Sequence, residues 1–160
     1  MHKILLIFTL LAMGGCTAKN STTQIENFEV IPVELTTYLG TKQQFISGDE
    51  IQFLLSLGSD AFIYMYYIDA DKKITQILPN NDQPSNHYSA GYFLTIPEYE
   101  DGYHFVVSEP FGEENIWIFA SDRSIDIDAS NRTIESIKKN IKMNSRSEFG
   151  EYVLKIITAP

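Results

Sequence analysis

Eight consecutive residues, Ala61–Ile68 (AFIYMYYI), carry an apolar or aromatic side chain at every position. A strand turns successive side chains to opposite faces, so this run is apolar on both. It reads as a central strand, and Ile116–Ala120 reads as a second one of the same kind. Around them the pattern alternates. Ile51, Phe53, Leu55 and Leu57 form one half-buried strand; Tyr103, Phe105 and Val107 form another; Tyr152, Leu154 and Ile156 form the last. Phe28–Leu35 holds Pro32 and suits an edge strand, because proline cannot donate to a ladder. Gln44–Ile46 and Tyr92–Ile96 are short strands, the second closed by Pro97, and Ile74–Leu78 pairs back on the central run through the turn Asp69–Lys72. Residues 79–91 are dense in turn formers and make a long loop. One helix stands out, with Ile134, Ile137 and Ile141 at helical spacing, Lys138, Lys139 and Lys142 on other faces, and Ser130 or Asn131 as its cap. Short, evenly spaced strands with one late helix predict a mainly β fold: a compact β-sandwich, with a small open β-barrel as the alternative.

The first residues follow another logic. Met1, His2 and Lys3 make a short basic start, and Ile4–Met13 is an apolar run. It is too short to cross a bilayer, which takes about 20 residues, and it matches the core of a secretory signal. Gly14 and Gly15 then precede Cys16, the single cysteine. That pattern predicts a lipoprotein signal over residues 1–15 and lipidation of Cys16. A lone cysteine has no partner for an intramolecular disulfide, and several acyl chains on it would anchor firmly where one would not. Met13 is a mild departure from the usual small residue. Lipoproteins retained in the inner membrane usually have Asp after the cysteine, and Thr17 stands there, so the resemblance to bacterial lipoproteins implies the periplasmic face of an outer membrane. Residues 16–27 are polar and small, a tether reaching on the order of 20 Å; residues 28–160 form the single folded domain.

The formal charge is −9, and removing Lys3 with the signal makes it one unit more negative. Such a balance disfavours nucleic acid and anionic lipid surfaces as partners. The histidines of the folded part are His87 and His104. The chain contains no His-Glu-x-x-His, no nucleophile elbow and no Gly-rich phosphate loop. Asp69 and Asp71, like Asp126 and Asp128, sit two apart, but no central glycine or closing glutamate completes a calcium loop. The expectation is a non-catalytic protein without metal or cofactor.

Tyr88, Tyr92, Tyr99 and Tyr103 gather near the long loop with His87 and His104, and Pro110-Phe111-Gly112 is either an apolar knob or a plug at one end of the sandwich. Aromatic side chains with polar tips favour interfaces. His87, Tyr88, Tyr99 and Phe111 are therefore the candidate interaction surface.

Several stretches carry a resemblance: Gly48-Asp49, Asp60-Ala61-Phe62-Ile63-Tyr64, Tyr67 to Asp71, Ile74 to Asn80, Pro110-Phe111-Gly112 and Phe119-Ala120-Ser121. Their order resembles a bacterial family known only as domain-of-unknown-function family 4384. Lys72-Lys73 replaces the glycine usual after the aspartates, and Ser124 stands where a proline often follows. The resemblance implies an envelope protein with an immunoglobulin-like sandwich, akin to lipoproteins or to domains beside proteases and assembly factors; it implies no activity. Together these readings predict a lipid-anchored interaction module that meets a protein partner in an envelope assembly such as a secretion system, surface organelle or wall machinery. The rival readings are an immunity or inhibitor lipoprotein that binds a toxin or wall hydrolase, and an enzyme acting on glycan or peptidoglycan.

Overall fold

The computed structural model describes residues 29–40, 43–99, 102–127 and 133–160. Cys16, the signal, the tether, Phe28 and the expected caps Ser130 and Asn131 lie outside the described residues. The centre is a sheet of seven strands. Its middle runs through β6 (Ala61–Ile68), β11 (Glu113–Ser121) and β12 (Glu148–Ala159), all antiparallel, with Ile118 opposite Met65 on one side and Tyr152 on the other. The edge strand β7 (Ile74–Leu78) and the short β8 (His87–Tyr88) pair with β6. On the far side, β1 (Glu29–Val30) and β3 (Gln44–Ile46) run parallel to β12.

Three further strands, β2 (Val33–Thr37), β5 (Phe53–Leu57) and β9 (Leu94–Ile96), form a second sheet, and β4 (Glu50–Ile51) pairs with β10 (Phe105–Val106). These cover one face of the large sheet. Ala61, Ile63 and Met65 of β6, with Ile116, Ile118 and Ala120 of β11, bury into them. The intervening residues Tyr64, Tyr66, Trp117 and Phe119 point the other way, and the helix α1 (Ile134–Asn144) covers that face with Ile134, Ile137 and Ile141. The two runs that are apolar on both faces are thus the two strands with a core on each side. Burying one such side chain contributes on the order of 1.5–3 kcal/mol, so the doubly covered strands concentrate the fold's stabilisation. Among the described residues the result is a mainly β sandwich with one late helix, and no barrel closes.

Three details depart from the sequence reading. Residues 28–35 do not form one strand: β1 joins the large sheet and β2 the small one, and Pro32, lacking an N–H, lies where the chain crosses between them. The alternating run 51–57 likewise breaks at Gln52, so that Ile51 pairs with β10 and Phe53 with β2 and β9. The helix is capped by Thr133, whose hydroxyl accepts the Ser136 N–H at 3.1 Å while the Ser136 hydroxyl accepts the Thr133 N–H at 3.2 Å. At the β6–β7 turn, Lys72 adopts φ 69°, the left-handed conformation that the missing glycine would hold at less cost.

The return from β11 and the helix into β12 is fixed by Asp122. Its carboxylate accepts the Arg146 N–H at 2.8 Å and the Ser147 N–H at 2.9 Å. Burial works to raise the Asp122 pKa, but these bonds, with those from the Ser147 hydroxyl and the Glu148 N–H, hold it below its ordinary value. A depressed acid stabilises the fold above its unfolded pKa of about 4, and that contribution is lost as pH falls through the lower folded value. Asp122→Asn is therefore expected to cost about 1 kcal/mol at pH 7, roughly 2–4 °C in Tm. It should also flatten the fall of Tm below about pH 4. A variant whose acid limb matches the parent's would refute the role.

Candidate functional site

β11 carries Ile116 and Ile118 into the sandwich interior, and the same alternation carries Glu114 there too. Glu114 is only 2% exposed. β12 brings Thr158 in phase with Ile156, and β6 brings Tyr67 in phase with Met65. These side chains border a cavity of about 300 Å³ between the large sheet and the strands β4, β5 and β10. Its walls are apolar: Ile51, Phe53, Ile77, Phe105, Ile116 and Ile156. Its polar groups are Tyr67, Asp69, Glu114 and Thr158, with Lys73, Thr75, Ser108 and Glu109 also bordering it.

The polar groups interlock. The Thr158 hydroxyl donates to Glu114 Oε1 at 2.8 Å and accepts the Gly112 N–H at 3.0 Å. The Tyr67 phenol borders the same cavity as that carboxylate. Burial first, then the neighbouring Glu114 and Asp69 carboxylates, push the Tyr67 phenol above its ordinary range, so it stays protonated. Asp69 is mostly buried and accepts the Lys73 N–H through Oδ1 at 2.8 Å. Lys138 pairs with Glu151 between helix and β12, whereas Glu114 has a hydroxyl donor and no cationic partner within 4.0 Å among the described residues. A desolvated carboxylate normally has a cation or several strong donors. Pro110 borders the cavity, and a Cβ on Gly112 would come within 3.1 Å of Ala70 Cβ, which brings residues 110–112 against the β6–β7 turn.

Residues 44–124 match the family model named Domain of unknown function (DUF4384). The chain belongs to this family. No curated protein and no solved structure matches it. The DUF4384 stretch runs from β3 to just past β11 and includes Tyr67, Asp69, Gly112 and Glu114; β12, outside it, adds Ile156 and Thr158. Two runs that carry the family resemblance, Tyr67 to Asp71 and Pro110-Phe111-Gly112, meet at this end of the sandwich.

The residues expected to form an interaction surface are divided. On β8, His87 is exposed and lies on the Phe62 ring at 4.7 Å, whereas Tyr88 turns into the sandwich core and is 9% exposed. Tyr88 is thus a core residue, its hydroxyl accepting from Gln83 Nε2 at 3.0 Å. Phe111 is half-buried and packs on the same core, which makes it a plug rather than a knob. Tyr99 is 94% exposed and borders a shallow groove with Tyr38, Glu50 and His104, which neither His87, Tyr88 nor Phe111 lines. Cys16 lies outside the described residues. No group of three His, Cys, Asp or Glu side chains converges as a metal set among the described residues. Glu114 escaped the sequence reading, although one signal was there: an acid at the interior phase of a strand apolar on both faces.

Proposed function

We propose that this DUF4384 chain is a lipid-anchored envelope protein and serves as a non-catalytic interaction module, its sandwich domain receiving a protein partner in an envelope assembly. The anchoring part rests on the basic start, the apolar run Ile4–Met13 and Gly14-Gly15-Cys16. Thr17 supports the periplasmic face of the outer membrane. The observation that carries the interaction part is the cavity, an apolar hollow with a few convergent polar groups. Interfaces draw most of their energy from an anchor seated in such a pocket.

Two substitutions test the two halves. Cys16→Ser should move the protein from the membrane fraction to the soluble periplasm; unchanged sedimentation with membranes would refute the anchor. A photocrosslinker placed at Ser108, on the cavity rim, should capture one dominant envelope protein, while the same probe at Lys139, on the exposed side of the helix, should not. Equal capture from both positions, or none from Ser108, would sink the interaction reading. The net charge of −9 favours a basic partner and faster encounter with it. A basic toxin or wall hydrolase among the captured proteins would select the immunity form of this function.

A further inference from the structure

We propose that the cavity between the sheets is a binding site for an organic cation, an alkylammonium or alkylguanidinium group, with Glu114 as its counter-ion and Thr158 holding that carboxylate in place. The inference takes the cavity from the interaction reading above but concerns its occupant, and it stands or falls on a separate measurement.

Three observations lead to a cation on an apolar stem. Glu114 is 2% exposed, yet the donor on its carboxylate is a single hydroxyl, that of Thr158. A carboxylate has about four acceptor positions, so room remains for a donor that carries the missing positive charge. Asp69 and Glu109 border the same space against one cation, Lys73, which is exposed at the rim. The remaining wall is aliphatic and aromatic, with Phe53 and Phe105 packed at 5.6 Å between ring centroids. Such a wall fits methylene groups and lends aromatic faces to a cation. A neutral or anionic guest of the same size would strip water from the mouth of the cavity and leave Glu114 without a cationic partner. A metal ion is poorly served, because hard cations want six or more oxygens and the wall is mostly carbon.

The test uses the full chain carrying Cys16→Ser, titrated with n-butylguanidinium, n-butylammonium, 1-pentanol and valerate, and followed by amide shifts in heteronuclear NMR. The expected result is saturable binding of the two cations, at least tenfold tighter than pentanol, with shifts at Tyr67, Glu114, Ile116 and Thr158. Glu114→Gln should weaken the cations at least tenfold and leave pentanol unchanged. Thr158→Val, which keeps the side-chain shape, should weaken them less and covers the case in which the glutamine variant does not fold. A capped Gly-Arg-Gly peptide that binds as well as butylguanidinium would mark the source as a partner's side chain; binding of the free cation alone would mark a small molecule. Equal affinity for cation and pentanol, preference for valerate, or no binding by any probe would overturn the proposal. If the Ser108 probe captures nothing while butylguanidinium binds, the interaction reading falls and the cation site remains; the opposite pattern leaves a partner that does not use Glu114.

Discussion

Gly150→Ala is expected to destabilise the domain by on the order of 3 kcal/mol, roughly 6–12 °C in Tm for a chain of this size. The residue sits on β12 opposite Ala120 and faces the sandwich interior. A Cβ placed there would lie 2.4 Å from the Ile31 carbonyl oxygen and 2.8 Å from Val33 Cγ2. The first of these is backbone, and it cannot swing aside as a side chain could. The Ile31 N–H donates to the Phe149 carbonyl at 3.2 Å, and β1 pairs with β12 through Glu29–Glu148 and Val30–Phe149. To admit one methyl group the crossing between the sheets must retreat, and it takes those pairings with it. Gly102→Ala is the control, since nothing lies within 4 Å of its added Cβ and its φ is ordinary. Equilibrium urea unfolding of both variants measures the difference. Costs within about 1 kcal/mol of each other would mean that the crossing is looser than its geometry implies.

The crossing also marks where sequence reading reached its limit. Local pattern located β3, β6 and β7 to the residue, because apolar runs end at turn formers, and it located the three isoleucines of the helix, because one side of a core enforces their period. It did not reveal that residues 29–37 serve two sheets, because alternation reports which way a side chain faces and nothing about which strand lies beside it. Pro32 carried the information but was readable only as a mark of an edge. Gln52 hides the same kind of switch inside an unbroken alternation. Propensity likewise gave no warning of Lys72, whose left-handed backbone is imposed by the Asp69 carboxylate and the closure of β6 on β7.

For the site, the sequence supplied letters without their grouping. Tyr88 and Phe111 drew notice as aromatic residues in turn-rich segments, and both proved to serve the core. Glu114, Tyr67 and Thr158 come from three strands far apart in the chain, and only the ladder brings them together. Asp69 had been noted for its spacing from Asp71, yet its importance lies in its position at the end of β6, beside the Tyr67 phenol and the cavity. An interior acid is costly wherever it sits. The interior phase of Glu114 is therefore the feature of the sequence that burial of apolar surface does not explain.

Phe119→Ala should be the most damaging single truncation on the opposite face, costing about 3–5 kcal/mol. Phe119 is fully buried, with ring centroids of Trp117 at 6.0 Å, Tyr66 at 6.2 Å and Phe149 at 6.3 Å. That aromatic layer is the floor on which Ile134, Ile137 and Ile141 rest. Removing its central ring opens a cavity that an isoleucine side of a helix cannot fill without moving inward. Amide exchange separates this from a general loss of stability. Protection should fall first in residues 134–144, while the β5 amides, on the far side of the large sheet, keep theirs until global unfolding. Ile118→Ala, one residue away, makes the reverse prediction, because its side chain enters the sandwich core instead. If both variants release the helix and the small sheet together, the two faces of β11 are one cooperative unit. If they release different layers, the site between the sheets can be altered without disturbing the helix, and binding variants such as Glu114→Gln can be read as changes in recognition.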